Sequence, residues 1–323
     1  MPLMAVVLLS CTSSNAQKDE NVEVNAKVNV EVHDTNPDLN IDTEEIISTV
    51  KREMHRDFDK KDTHREIINK EFEVGSKSNL RVFNIFGSIK VEGYSGRKVI
   101  VEIEKIIKAD GKEVLEKAKN EVKLGFENLA DTLTFYTAEP YDNRPKTTRN
   151  REYNQKKREY VVYLNYTVKV PNGMSLRLNT VNDGEIEVAN VDGIIKANNV
   201  NGGILLQNVR GANDVHTVNG NVKVNFLNSP PENSKFYTLN GKLELIVPND
   251  FSADCEFKSF NGNFYTDFEN VESLPSKVEK TENKSENGVR YKMNKGNAYR
   301  FGNGGKHLKV ETFNGNAYIK KAS

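Results

Sequence analysis

From Phe72 onward, apolar and polar residues alternate with a period of two, the pattern of strands that bury one face and wet the other. It is clearest over Leu80 to Val91, Lys98 to Ile103, Thr132 to Tyr136 and Tyr160 to Val170. One stretch departs from it: Lys112 to Gly125 combines strong helix formers with apolar residues at helical spacing and predicts a helix. Upstream, residues 12–71 are rich in Asn, Asp, Glu and Lys and poor in aromatics, which predicts a polar tether. Within it, Asp42 as N-cap, Glu45 three residues on, and Ile46, Ile47, Val50 and Met54 at helical spacing predict a short helix near 43–57. His55 and His64 lack further ligands at metal-binding offsets and read as solvated.

After Pro171 one phrase recurs, an apolar residue followed by Asn-Gly or Asn-Asp-Gly and a new alternating run. Its asparagines are Asn182, Asn201, Asn219, Asn240, Asn261 and Asn314, spaced 19, 18, 21, 21 and 53 residues apart. Turn signals at Val191-Asp192-Gly193, Val209-Arg210-Gly211, Ser229-Pro230-Pro231 and Pro248-Asn249-Asp250 fall half-way between. A steady period near twenty with two strand-plus-turn units per repeat predicts a mainly β fold, a β-solenoid or β-helix with coils of about 18–21 residues. The expected reason for Asn-Gly is a corner needing positive φ. Stacked corners would then form an amide ladder of the six asparagines, with Ile186, Ile204, Val222, Leu243 and Phe264 as an interior column. The competing structure is a row of Asn-Gly hairpins in an antiparallel sheet.

The expected organisation is a leader segment 1–11, a tether 12–71, and a folded body 72–323. The body comprises a strand-and-helix capping part 72–170 and the Asn-Gly repeats 171–323, interrupted by an inserted polar loop 270–295. The final strand ends in Lys320-Lys321, a guard against edge-to-edge pairing.

Composition then narrows the function. The 323 residues carry 46 Lys plus Arg and 46 Asp plus Glu, so the net charge is zero and no nucleic-acid partner is expected. Residues 141–159 form a locally basic stretch with Arg144, Lys146, Arg149, Arg151, Lys156, Lys157 and Arg158, a candidate binding loop or a solvated hairpin tip. The first residues, Leu8-Leu9-Ser10-Cys11 after a short apolar run and before Thr12-Ser13-Ser14, resemble a bacterial lipobox. Cys11 would carry a diacylglycerol that holds the protein on a membrane leaflet. The other cysteine, Cys255, is expected to be a buried free thiol.

The Asn84 to Ile89 turn, the helix-prone stretch, Val170-Pro171-Asn172-Gly173 and the Asn-Gly rungs together resemble the bacterial "putative adhesin" family, domain of unknown function 4097, over roughly residues 72–323. That resemblance implies β-helical repeats in secreted or lipid-anchored envelope proteins, with no reaction or ligand shared across the family.

Phosphate-loop, zinc-helix, serine-elbow and paired-cysteine signatures do not occur in the sequence. Asp183, Glu185, Glu187, Asp192 and Asp214 are scattered over the coils, and His216 reads as a turn-proximal surface residue. The expectation is a non-enzymatic lipoprotein of the cell envelope, on the outer membrane, presenting a surface to a glycan or protein and using no cofactor or metal. The alternative is an envelope scaffold or regulatory partner of a membrane signalling protein, with a polysaccharide-cleaving enzyme third.

Overall fold

The computed structural model describes residues 3–7, 30–34, 62–75, 78–145, 159–231, 233–275, 278–285, 288–295 and 297–322. The chain divides into two units, Met1–Phe58 with Lys280–Lys292, and Asp59–Glu279 with Met293–Ser323. In the first, Leu3–Val7 pairs antiparallel with Val30–Asp34. The expected helix near 43–57 and the lipidation candidate Cys11 lie outside the described residues.

The second unit is mainly β. Its strands form two large mixed sheets, of eleven and ten strands, and from Ser175 to Val247 successive strands alternate between the two. Strands 175–179, 195–201, 213–219 and 234–240 lie side by side in the eleven-strand sheet, and 186–189, 204–209, 222–226 and 243–247 in the ten-strand sheet. All these neighbours pair in parallel, which excludes the hairpin alternative. The register is in phase, so equivalent residues stack: Ile89, Ile186, Ile204, Val222, Leu243, Ala317 and Phe264 form one row of the ten-strand sheet. Alternation then puts one residue in two between the sheets, where Ile186, Val188, Ala197, Leu206, Val215, Val224, Phe236 and Leu245 are buried in a continuous core.

The coils are not stacked in sequence order. The last coil in sequence, His307–Asn314 with Ala317–Lys321, sits between the coil Ser234–Val247 and the coil Ala253–Thr266, pairing in parallel with both. The other end repeats the device: the first coil, Asn79–Phe83 with Ile89–Tyr94, lies between Ser175–Ala189 and the pair Thr132–Glu139 and Tyr160–Pro171. Consequently the lysine-ended strand Ala317–Lys321 does not form the sheet edge. That place belongs to Phe264–Thr266, three residues without a charge.

Both ends are closed by aromatic clusters. At one end Phe72, Phe126, Phe135 and Tyr166 pack with centroids 5.4–6.4 Å apart, beneath antiparallel strands Asp62–Glu73 and Lys98–Ala109. The folded body therefore includes the strand Asp62–Glu73, ahead of its expected start at 72, with Ile68 and Phe72 packed on the core. The helix α1 (Lys112–Glu121) buries Ala118 against Ile107, Ala109, Val122 and Tyr160, while Gly125 lies in the following strand Lys123–Leu129. At the opposite end Phe251, Phe257, Phe264, Phe268, Tyr299 and Phe301 form the second plug. The expected polar loop 270–295 is not irregular: Val271–Leu274 pairs antiparallel with Asn297–Phe301, and Val278–Ser285 pairs with Gly288–Lys295. Backbone pairing needs no apolar face, so a polar composition did not preclude strands there.

Candidate binding surface

At each Asn-Gly corner three columns run along the stack. In the outer one the side-chain amide of each asparagine donates to the amide oxygen of the preceding coil: Asn201 to Asn182 at 2.7 Å, Asn219 to Asn201 at 2.9 Å, Asn240 to Asn219 at 2.8 Å, Asn314 to Asn240 at 2.8 Å and Asn261 to Asn314 at 2.9 Å. The spatial order is thus 182, 201, 219, 240, 314, 261, with the last two exchanged relative to sequence. Two residues before each ladder asparagine stands a second column, Thr180, Asn199, Thr217, Thr238, Thr312 and Ser259. Thr180, Asn199, Thr217 and Thr238 donate at 2.8–2.9 Å to the carbonyls of Gly87, Gly184, Gly202 and Gly220 in the coil before. Sequence reasoning missed this column, although the signal was legible as Thr-Val-Asn, Asn-Val-Asn, Thr-Val-Asn and Thr-Leu-Asn.

The third column is glycine. Gly315 alone of the six corner glycines has a positive φ, 155°; Gly184, Gly202, Gly220, Gly241 and Gly262 do not, so for these five the expected reason is corrected. A Cβ at Gly220 would run into the carbonyl of Gly202, and one at Gly241 into that of Gly220, because the corner backbones stack in direct contact. Positive φ is carried by other corner residues: Asp183 at 54°, and Asn190 at 60° and Asn208 at 54°, which form a separate amide contact of 3.1 Å.

With interior and corners committed to stacking, the side chains that face outward are the two polar sheet faces. On the ten-strand sheet Glu244 collects Lys242, Lys320 at 3.2 Å and Lys223 at 3.5 Å. Burial opposes ionisation of this carboxyl, but the hydrogen bonds from Lys242 and Lys320 outweigh it and hold the pKa down at about 2. On the eleven-strand sheet one outward row reads Arg81, Arg177, Lys196, Asp214, Lys235, Lys309 and Glu256 across neighbouring strands. The parallel row beside it reads Asn179, Asn198, His216, Tyr237 and Glu311. His216 is therefore a mid-strand residue rather than a turn-proximal one, with Nε2 at 2.6 Å from Asp214 and its ring 5.8 Å from that of Tyr237.

The basic stretch 141–159 is described only at its ends; Lys146, Arg149, Arg151, Lys156, Lys157 and Arg158 lie outside the described residues. Arg144 is buried rather than presented. Its guanidinium contacts Asp142 and Glu127, each at 2.6 Å, and covers the Tyr136 ring at 3.9 Å. Burial, reinforced by the hydrogen bond to Glu127, pushes the Tyr136 phenol up to about 12. Asp142, two residues before Arg144, and Glu127 on the strand Lys123–Leu129 together fix its position. Cys255 is a free, buried thiol whose pKa burial raises. Among the described residues no group of three or more His, Cys, Asp or Glu is placed to hold a metal ion, and no helix is long and apolar enough to cross a membrane.

The family model Toastrack DUF4097 matches residues 10–298 of the chain. The chain belongs to the Toastrack DUF4097 family. The Toastrack match ends at residue 298, ahead of the coil His307–Lys321 that the fold inserts between two others. Similar solved structures include a protein of Clostridium sporogenes described as a putative cell adhesion protein, 11% identical, covering 80% of this chain and 100% of that one with a TM-score of 0.38. A Bacteroides fragilis protein described as a putative adhesin is 10% identical over 80% of this chain and 97% of that one, TM-score 0.26. A Parabacteroides distasonis protein described as a putative lipid binding protein has the same identity and coverages, TM-score 0.21. No curated protein matches the chain.

Proposed function

We propose that this Toastrack chain is a non-enzymatic, adhesin-like protein of the bacterial cell envelope, a β-solenoid that binds a glycan or protein through the outward faces of its coils. One observation carries the reading: interior, corner and end residues are committed to stacking, and what remains outward is a pair of regular polar faces with in-register side-chain rows. Such faces suit an extended ligand, which meets the same side-chain position on strand after strand. A diacylglycerol at Cys11 would hold the protein on the outer membrane.

The test has two parts. Intact mass and membrane partitioning of wild type and Cys11→Ala, expressed in a bacterial host, are expected to show a lipid-sized mass increase and membrane retention only for wild type. Binding of the folded protein to a panel of envelope glycans and envelope proteins is expected to yield saturable binding, and none across the whole panel would refute the adhesin-like reading.

The scaffold reading has an observation of its own. The edge strand Phe264–Thr266 carries no charge, and beside it Phe260 is 73% exposed and stacked on Phe313 at 4.8 Å. An uncharged edge is a template for pairing. Sedimentation at rising concentration separates the readings, since the scaffold predicts self-association that Phe260→Ser weakens.

A further inference from the structure

The outward face of the eleven-strand sheet carries three cations in register, Arg81 beside Arg177 and Arg177 beside Lys196, with Thr134 next to Arg81 on the other side. Adjacent strands are about 4.8 Å apart, and like charges directly opposite destabilise a sheet. Farther along this face carboxylates alternate with the cations: Asp214 stands between Lys196 and Lys235, Glu256 is 3.0 Å from Lys258 and Glu311 is 3.5 Å from Lys309. Asp214, opposite Lys196 on the next strand, acts on Lys196 and Arg177 through its charge, but among the described residues none of Arg81, Arg177 and Lys196 forms an ion pair. Arg177 Nε is moreover buried without a hydrogen-bond partner. Arg177 is flanked by a cation on each side, and an oxyanion bound in bidentate fashion by its guanidinium fork would offset that repulsion.

The neighbouring row favours one occupant. Asn179 and Asn198 stand two residues along the same strands, linked at 3.0 Å, and supply amide groups suited to sugar hydroxyls. A cationic row and an amide row both run across the strands, along the direction in which the coils stack.

We infer that Arg81, Arg177 and Lys196 bind the carboxylates of an acidic, uronate-bearing polysaccharide lying across the strands, with Asn179 and Asn198 holding its hydroxyls. This rests on the adhesin-like reading and names its ligand class.

The experiment titrates the full chain with oligogalacturonate, with neutral dextran, with single-stranded DNA and with phosphatidylglycerol vesicles, at two salt concentrations. The expected result is salt-sensitive binding to oligogalacturonate and not to dextran, weakened tenfold or more by Arg177→Gln and by Arg81→Gln with Lys196→Gln. Lys117→Gln, on the exposed side of α1, is expected to bind as wild type, and circular dichroism melts confirm that each variant is folded. Oligogalacturonate binding that the row variants leave unchanged, absence of such binding, or equal binding to DNA or vesicles would overturn the inference. Dextran binding without oligogalacturonate binding sinks the inference and leaves the adhesin-like reading standing, whereas failure of the broader envelope panel as well removes that reading too.

Discussion

Asn314 donates its amide to Asn240 at 2.8 Å across 74 residues of chain, while Asn261, only 21 residues beyond Asn240, reaches Asn314 instead. The C-terminal coil is thus a wedge between two coils that precede it in sequence. The first coil occupies the same kind of place at the other end, between Thr132–Glu139 and Ser175–Asn179 in the eleven-strand sheet. In an ordinary repeat stack, deleting the last repeat bares one face. Here, deletion of residues 307–322 bares two, the strands Ser234–Asn240 and Ala253–Asn261. The truncated chain is expected to lose cooperative unfolding and to be cleaved by protease within 253–301. Two-state urea unfolding at an unchanged midpoint would contradict the wedge.

Gly220→Ala is expected to destabilise the protein by about 2 kcal/mol or more, because the methyl group meets the Gly202 carbonyl and the stacked corners must separate. Gly173→Ala is the matched control, since a Cβ there has nothing within 4 Å. Equal urea midpoints for the two variants would show that the corners do not stack in contact.

Thr217→Val keeps the shape of the buried side chain and removes the hydrogen bond to the Gly202 carbonyl at 2.8 Å. The expected cost is about 1–2 kcal/mol. A thermal midpoint equal to wild type would mean that the hydroxyl column adds nothing to coil stacking.

Glu244 makes stability depend on acid. Its carboxyl is held at about 2 in the folded protein against an ordinary value of 4.5, so the folded state binds fewer protons than the unfolded one between these limits. The stabilisation is complete above about pH 4.5 and is lost as pH falls toward 2. Glu244→Gln is expected to cost about 1–3 kcal/mol at pH 7, with the gap to wild type closing through that window. Urea midpoints at pH 7, 4 and 2.5 measure it, and a pH-independent gap would assign the effect to packing.

Arg144→Met leaves Asp142 buried without its cation and uncovers the Tyr136 ring. Breaking a buried pair on one side typically costs about 3 kcal/mol or more. A fall in melting temperature with ligand binding unchanged is the expected outcome; intact stability with lost binding would return Arg144 to the role of a presented binding residue.

The sequence by itself determined what is local. A corner repeats near every twenty residues because the chain must turn there, and alternation between corners fixes which side chains enter the core, so Ile186, Ile204, Val222 and Leu243 were legible as one row. Stacking of asparagine on asparagine was legible for the same reason, since equal spacing puts equal residues in register. The order of the coils was not. Each Asn-Gly coil offers its neighbours nearly the same ladder and the same backbone edge, so local pattern does not say which coil lies beside which. The end clusters separate them: Phe257 and Phe264 pack with Phe251, Phe268 and Phe301 at the terminus of the stack, while Val310 and Ala317 suit the coil between two others. Tertiary structure likewise decided why the corners are glycine and where Arg144 points, because a carbonyl one coil away and a carboxylate on a neighbouring strand are distances through space that spacing along the chain does not encode.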